Sequence, residues 1–230
     1  KVMTAAEKRA IALHEAGHAT ISWFLEYANP LIKVTIVPRG RALGAAWYLP
    51  EERQITTKEQ MLDEMCATLG GRAAEELFIK QISTGAMNDL ERVTKQAYGM
   101  IAYAGMSEKL PNLCYYNNDE YSFSKPYSEH TAELIDSEVK QLIAEQYSRA
   151  KEILTLHKEG HNKLAELLIE KEVIFAEDVE AIFGKRPWAS RSEEIMAESQ
   201  VENEVKSIEN KEENSNNESE KNNENEKSND

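Results

Sequence analysis

The chain has 230 residues, room for one ordinary domain and an appendage, and carries a net charge of −14. That acidic balance, with no Lys/Arg patch interleaved with aromatics, points away from nucleic acid, and the two cysteines, Cys66 and Cys114, lack metal-type or redox-type spacing. No apolar run approaches the roughly 18 to 20 residues that cross a bilayer, and the N-terminal pattern is helical rather than that of a signal peptide.

The first predicted element is a helix from Ala5 to Tyr27. Thr4 and Glu7 make a capping box ahead of it, and Ile11, His14, His18, Ile21 and Leu25 recur at helical steps until Asn29-Pro30. Ile32, Val34 and Ile36 then alternate with polar residues as a half-buried strand. The turn Pro38-Arg39-Gly40-Arg41 leads into a second strand ending near Leu49, which makes a β-hairpin.

A second helix is expected after Thr56, boxed with Glu59, with Met61, Met65, Leu69, Ala73 and Leu77 on one stripe widened by Leu62 and Cys66. Cys66 on that stripe reads as a small buried hydrophobe. Two glycines inside the helix, Gly70-Gly71, each cost about 1 kcal/mol of propensity, so something must approach the backbone there. Ser83-Thr84-Gly85 breaks the pattern before a third helix from Asn88 to Ala102. An irregular Tyr- and Asn-rich stretch follows from Lys109 to Tyr127. Helices are expected at Ser128 to Leu156, His161 to Glu170, and Ala176 to Phe183, the last stopped by Gly184.

From Ser190 on, thirteen acidic residues face five basic ones, a net of −8 that leaves the preceding part at −6. Beyond Glu202 only Val205 and Ile208 are apolar, too little to offset the entropy of ordering the chain. The expected organisation is therefore a mainly α domain with a small β-hairpin or sheet over residues 1–189, and a disordered Glu/Asn/Lys/Ser-rich tail over 190–230.

The chemistry concentrates in His14-Glu15-Ala16-Gly17-His18. At 100° per residue the two histidines lie one turn apart on one helical face, where both imidazoles can reach one tetrahedral ion, and Glu15 sits beside them as a base rather than a ligand. A catalytic zinc site usually has three protein ligands and an open position. No histidine follows His18 until His130, so the third ligand is sought among Asp89, Glu75 and Glu76. From position alone Asp89 reads as a first-turn acid at a helix N-terminus. His157 and His161 are also four apart, but no glutamate follows His157 directly and Gly160 is expected to break a helix between them.

Further motifs stand in a fixed order: V-T-I-V-P-R-G-R-A-L-G at Val34 to Gly44, G-G-R-A-A-E-E at Gly70 to Glu76, S-T-G-A-M-N-D-L-E-R at Ser83 to Arg92, G-M-S-E-K-L at Gly105 to Leu110 and G-K-R-P-W at Gly184 to Trp188. Together with H-E-A-G-H they resemble the peptidase domain of the FtsH family of membrane-anchored AAA proteases over residues 1–188, departing at Met87, Ala104 and Pro111-Asn112. The resemblance implies one zinc ion per chain on His14, His18 and Asp89, with water in the fourth position. Glu75 and Glu76 then become candidates for holding a histidine N–H.

The implied reaction is peptide-bond hydrolysis, in which zinc-activated water attacks the carbonyl with Glu15 as general base. Substrate is expected to lie extended along the hairpin edge at Ala42, Leu43, Gly44, Ala45 and Ala46. There is no phosphate-binding G-x-x-x-x-G-K-[ST] loop. The resemblance places an ATPase module and a membrane anchor outside this chain and makes the start at Lys1 that of a C-terminal piece. It further implies a homo-hexamer acting on unfolded or membrane proteins at the cytoplasmic face of the bacterial inner membrane, or at an organelle inner membrane. Rival readings are a free-standing zinc peptidase, which a full-length gene without an upstream ATPase would favour, and an inactive helical oligomerisation module, which a lack of bound zinc and of chelator-sensitive cleavage would favour.

Overall fold

The computed structural model describes residues 3–40, 42–51, 53–115, 124–201 and 203. Chain contacts divide the molecule into two compact units, 1–188 and 189–230.

Helix α1 spans Ala5–Phe24. Thr4 accepts from Glu7 N while the Glu7 carboxylate accepts from Thr4 N at 2.7 Å, so the predicted capping box forms. The helix stops at Phe24, short of Tyr27, and its last carbonyls are claimed by the far end of the unit. Arg186 Nη2 donates to Leu25 O at 3.0 Å and Ala28 O at 2.6 Å, Trp188 Nε1 donates to Phe24 O at 3.1 Å, and Trp23 Nε1 returns a bond to Gly184 O at 3.1 Å. A guanidinium at the negative end of a helix dipole satisfies carbonyls that otherwise have no partner. The Gly184–Trp188 motif is therefore the C-terminal cap of α1.

Every residue from Ala12 to Trp23 is buried. Such a segment tolerates hydroxyls only if they are satisfied, and Thr20 and Ser22 donate back to Ala16 O at 2.7 Å and His18 O at 2.8 Å. Two apolar cores lie against α1. One joins Ile21 and Leu25 to Met65 and Leu69, Val93 and Met100, and Ile135 and Leu154. Beyond α1 and its cap, those residues come from α2 (Lys58–Thr68) with its cap Leu69, α4 (Met87–Tyr98) with its π turn Gly99–Tyr103, and α5 (Glu129–Leu156); between α2 and α4 lie α3 (Gly70–Ala74) and the π turn Glu75–Ile79. The other core joins Leu13 and Trp23 to Val34, Ile36, Leu164, Leu168, Ile174 and Val179. It is built from a sheet, α6 (Lys158–Lys171) and α7 (Ala176–Phe183). Each such side chain contributes roughly 1.5–3 kcal/mol by leaving water.

The sheet is antiparallel with order β2-β1-β3, where β1 is Leu31–Thr35, β2 is Ala45–Tyr48 and β3 is Val173–Phe175. The hairpin was legible in the sequence; β3, only three residues long, offers too short an alternation to read. Register corrects one expectation. A bulge between Leu31 and Lys33 turns Leu31 inward with Val34 and Ile36, and leaves Ile32 44% exposed.

Three further differences are local. The box of α2 is Thr57 with Gln60, one residue later than Thr56 with Glu59, because both frames offer a Thr and an acceptor three residues on. Gly160 lies inside α6 rather than breaking it, since a β-carbon there would stand 2.1 Å from the Phe183 ring: the glycine is a packing notch. In the second unit, residues 191–201 are helical, opened by Ser190 and Glu193, whose side chains each bond the other's backbone N–H. Residues 204–230 of the expected tail and 116–123 of the irregular stretch lie outside the described residues.

Candidate metal centre

His14 and His18 project from α1 and Asp89 from the first turn of α4. His14 Nε2 and His18 Nε2 stand 3.1 Å apart, and Asp89 Oδ2 lies 3.3 Å from the first and 3.2 Å from the second. Two atoms about 2.05 Å from a common centre at a tetrahedral angle are roughly 3.3 Å apart, so this triangle has the edge of a zinc tetrahedron. Among the described residues it is the one His/Cys/Asp/Glu group able to hold a metal ion.

The other ring nitrogens explain the orientation. His14 Nδ1 is 2.8 Å from Glu75 Oε1 and His18 Nδ1 is 2.9 Å from Ala67 O. Both partners are acceptors, so each Nδ1 carries the hydrogen and each Nε2 keeps a lone pair aimed at the shared point, the tautomer a metal ligand requires. Without a metal ion, only a proton on His14 can sit between these nitrogens and the carboxylate oxygen, and a divalent ion takes the same place. The donor set therefore fits a divalent ion.

Close backbone contact makes this possible. A β-carbon on Gly17 would lie 2.5 Å from Gly70 O, one on Gly70 would lie 2.8 Å from Gly17 O, and one on Gly71 would lie 2.3 Å from His14 Nε2. The Gly70-Gly71 pair thus lets the segment after α2 rest on α1, which brings Ala67 O and Glu75 within reach of the imidazoles. The approach inferred from sequence is that of the metal-site helix itself.

Of the two neighbouring glutamates, the structure brings only Glu75 to the site. Its carboxylate is buried and also accepts from Ser83 N at 2.8 Å and Ser83 Oγ at 3.0 Å, while Arg72 Nη2 donates to Ser83 O at 2.9 Å. Glu76 points elsewhere, accepting from the Tyr147 hydroxyl and facing Lys151 at 3.6 Å, because adjacent residues on a helix diverge by about 100°.

Glu15 is buried beside the histidines, and Gly44 lies directly on its carboxylate: a β-carbon on Gly44 would be 2.7 Å from Glu15 Oε1. Of the five expected edge residues, Ala42 bridges back to Arg39, Leu43 is exposed, Gly44 covers Glu15, and Ala45 and Ala46 open β2 opposite Thr35 and Val34. Since β1 sits in the middle, β2 is an edge strand.

The electrostatics follow from burial and carboxylates. Burial works against a charged His14, but the hydrogen bonds to Asp89 and Glu75 outweigh it and raise its pKa to about 9. Burial likewise opposes a charged Asp89, and the imidazoles hold its carboxyl well below the usual range nonetheless. For Glu15 burial wins and pushes the carboxyl up against the pull of His18 and His14. Cys66 lies away from this chemistry, its thiol raised to about 12 by burial, while Cys114 is exposed.

Sequence reasoning missed Ala67 O, whose role is carried by backbone, and Ser83, which completes the Glu75 cradle. It also missed Gly17 as the partner of Gly70. Only the improbable glycine pair signalled any of them.

The family model described as Peptidase family M41 matches residues 1–182. The chain is 69% identical over 198 residues to the ATP-dependent zinc metalloprotease FtsH of Parabacteroides distasonis, covering 85% of this chain and 29% of that protein. It is 54% identical over 179 residues to the FtsH of Karelsulcia muelleri, covering 76% of this chain and 29% of that protein. With the mouse mitochondrial inner membrane m-AAA protease component AFG3L2 it shares 47% identity over 194 residues, 84% of this chain and 24% of that protein. The chain thus spans about a quarter of the length of these relatives. Matched over most of its length and carrying a convergent His-His-Asp cluster, this chain belongs to peptidase family M41.

Proposed function

We propose that this domain is a zinc endopeptidase in which His14, His18 and Asp89 hold the ion and Glu15 is the general base. The carrying observation is the convergence of His14 Nε2, His18 Nε2 and Asp89 Oδ2 within 3.1–3.3 Å of one another, beside a buried Glu15. When bound, zinc supplies Lewis acidity, lowering the pKa of a nearby water toward about 7 and polarising a carbonyl.

The chain's own residues do the rest. Glu75 and Ala67 O hold the two Nδ1 atoms, so both imidazoles stay aimed with Nε2 toward the ion. Glu15, its pKa raised by burial, takes the water proton and returns it to the leaving amine. An extended substrate pairs with the edge of β2, and Gly44, having no side chain, lets that edge begin directly against Glu15. Main-chain pairing of this kind selects conformation more than sequence.

The complete protein, in the same proposal, is a membrane-anchored ATP-dependent protease. Relatives named as ATP-dependent metalloproteases extend well beyond the matched region, and one named mitochondrial relative is an inner membrane component. No helix among the described residues is long and apolar enough to cross a membrane, so the anchor belongs to another part of the protein. Hexameric assembly, unfolded or membrane proteins as substrates, and a site at the cytoplasmic face of a bacterial inner membrane rest on the family likeness. The acidic residues from Ser190 onward are proposed as an appendage to the peptidase domain rather than a part of it.

Metal analysis together with casein cleavage tests the core of this reading. One zinc per chain and cleavage abolished by a chelator are expected; a metal-free protein with no chelator-sensitive cleavage would overturn it.

A further inference from the structure

The tie between the edge strand and the metal-site helix is made at both ends of the strand. At one end Gly44 rests on the Glu15 carboxylate. At the other, the Tyr48 hydroxyl lies 3.1 Å from Ser22 Oγ, which is itself 2.8 Å from His18 O. Ser22 has a single hydroxyl hydrogen and a carbonyl can only accept, so that hydrogen goes to His18 O and the Tyr48 hydroxyl donates to Ser22. Tyr48 thus reaches, through one hydroxyl, the backbone of a residue whose side chain faces the metal centre.

Burial gives this bond its weight. Ser22 is buried, and burial also raises the Tyr48 phenol's pKa, so a phenol that lost Ser22 would lose its hydrogen-bond partner at a site shielded from water. The bond also spans the right elements. Tyr48 ends β2, where it pairs with Leu31 at the bulge, so the backbone ladder is irregular where the side-chain tie occurs. Between the two anchors lie Ala45, Ala46 and Trp47, the stretch of free edge available to a substrate.

We propose that Tyr48 is a positioning residue for substrate: through Ser22 it holds the far half of the β2 edge at a fixed height over α1, so the peptide residues distant from the scissile bond stay paired with that edge. The inference rests on the reading that substrate lies along β2. Gly44 keeps the near end seated whether or not Tyr48 is intact. Loss of the hydroxyl therefore loosens the part of the edge that holds residues distant from the scissile bond. Loosening of that kind removes binding shared by ground state and transition state, which appears in KM.

The test compares Tyr48→Phe, Ser22→Ala and the double variant in the zinc-loaded protein, with a ten-residue peptide and with a blocked tripeptide that ends just past the scissile bond. For the long peptide KM rises about tenfold in each single variant, with kcat changed less than twofold, and the double variant is no worse than either single one. For the tripeptide, kcat/KM is unchanged. The absorption spectrum of the cobalt-substituted protein matches wild type, since the ligands stay in place. A wild-type KM in Tyr48→Phe, equal losses on both peptides, additive single costs, or an altered cobalt spectrum would each overturn the proposal, the last two by showing separate or merely structural roles. Absence of chelator-sensitive cleavage in the wild type would instead sink the peptidase reading, and is read before any variant is made.

Discussion

His14 and His18 stand four residues apart, and so do His157 and His161, yet the two pairs have opposite fates. His14 and His161 are both buried, and burial alone lowers the pKa of each. Around His14, however, Asp89, Glu75 and Glu15 reverse the effect and raise the value to about 9. His161 meets no carboxylate: its Nε2 donates to Leu13 O at 2.9 Å, its ring stacks on Phe78, and burial takes it down to about 4. His157 sits where α5 meets α6, stacked on Phe24 with ring centroids 3.6 Å apart. Spacing sets up a pair of imidazoles; the charges that other elements bring decide whether the pair becomes a site. The second pair instead packs α6 against α1, the His161 bond falling one residue before His14.

The strongest way to break this contrast is to remove the carboxylates of the first pair. Asp89→Ala should leave the protein without stoichiometric zinc and without casein cleavage, whereas Glu15→Gln should keep its zinc and lose about 10²–10⁴-fold in kcat. Metal analysis beside kinetics separates the two, and near-normal turnover in Glu15→Gln would mean that another group is the base. A smaller effect is expected from Glu75→Ala, which leaves all three ligands but frees His14 Nδ1 from its 2.8 Å partner. Zinc affinity should fall about 10–100-fold in a competition titration with a chromophoric chelator; unchanged affinity would show that packing against Gly71 alone orients the ring.

The second pair offers the most specific effect, read in stability rather than in metal binding or turnover. His161 titrates near 4 when folded and near 6.5 when unfolded, so its contribution to stability is complete above pH 6.5. As pH falls toward 4 the unfolded chain takes up a proton that the folded protein does not, and up to about 3 kcal/mol is lost. His161→Gln, which does not titrate, should therefore show a urea midpoint that changes less between pH 6.5 and 4 than the wild type's. Identical slopes would place the acid sensitivity elsewhere.

Several features were legible because they are local. The capping box of Thr4 and Glu7, the two histidines with Glu15 between them, the hairpin turn and the stripe through Met65 and Leu69 each depend on residues a turn or two apart. Asp89 was not legible in that way: position made it an ordinary first-turn acid, and only likeness to a family raised it to a ligand. Errors in the local reading share one cause, that sequence spacing does not know what lies across the gap. Ile32 alternates correctly with Val34, but the bulge needed to pair β1 with β2 puts Leu31 inside instead. Gly160 looks like a helix breaker until Phe183 fills the space its missing side chain leaves.

Local patterning along the chain is enough to specify a mainly helical domain, a helix presenting two imidazoles and a carboxylate, and a glycine pair that demands a close neighbour. Tertiary structure alone decided that the neighbour is Gly17 of that same helix, that Ala67 O and Glu75 fix the ring tautomers, and that Asp89 completes the cluster from 71 residues beyond His18. The reason is physical: hydrogen bonding and periodicity act within a turn of chain and leave their mark on composition. Convergence of ligands depends on how separate helices pack, and there a missing side chain or a backbone carbonyl matters as much as any residue a motif records.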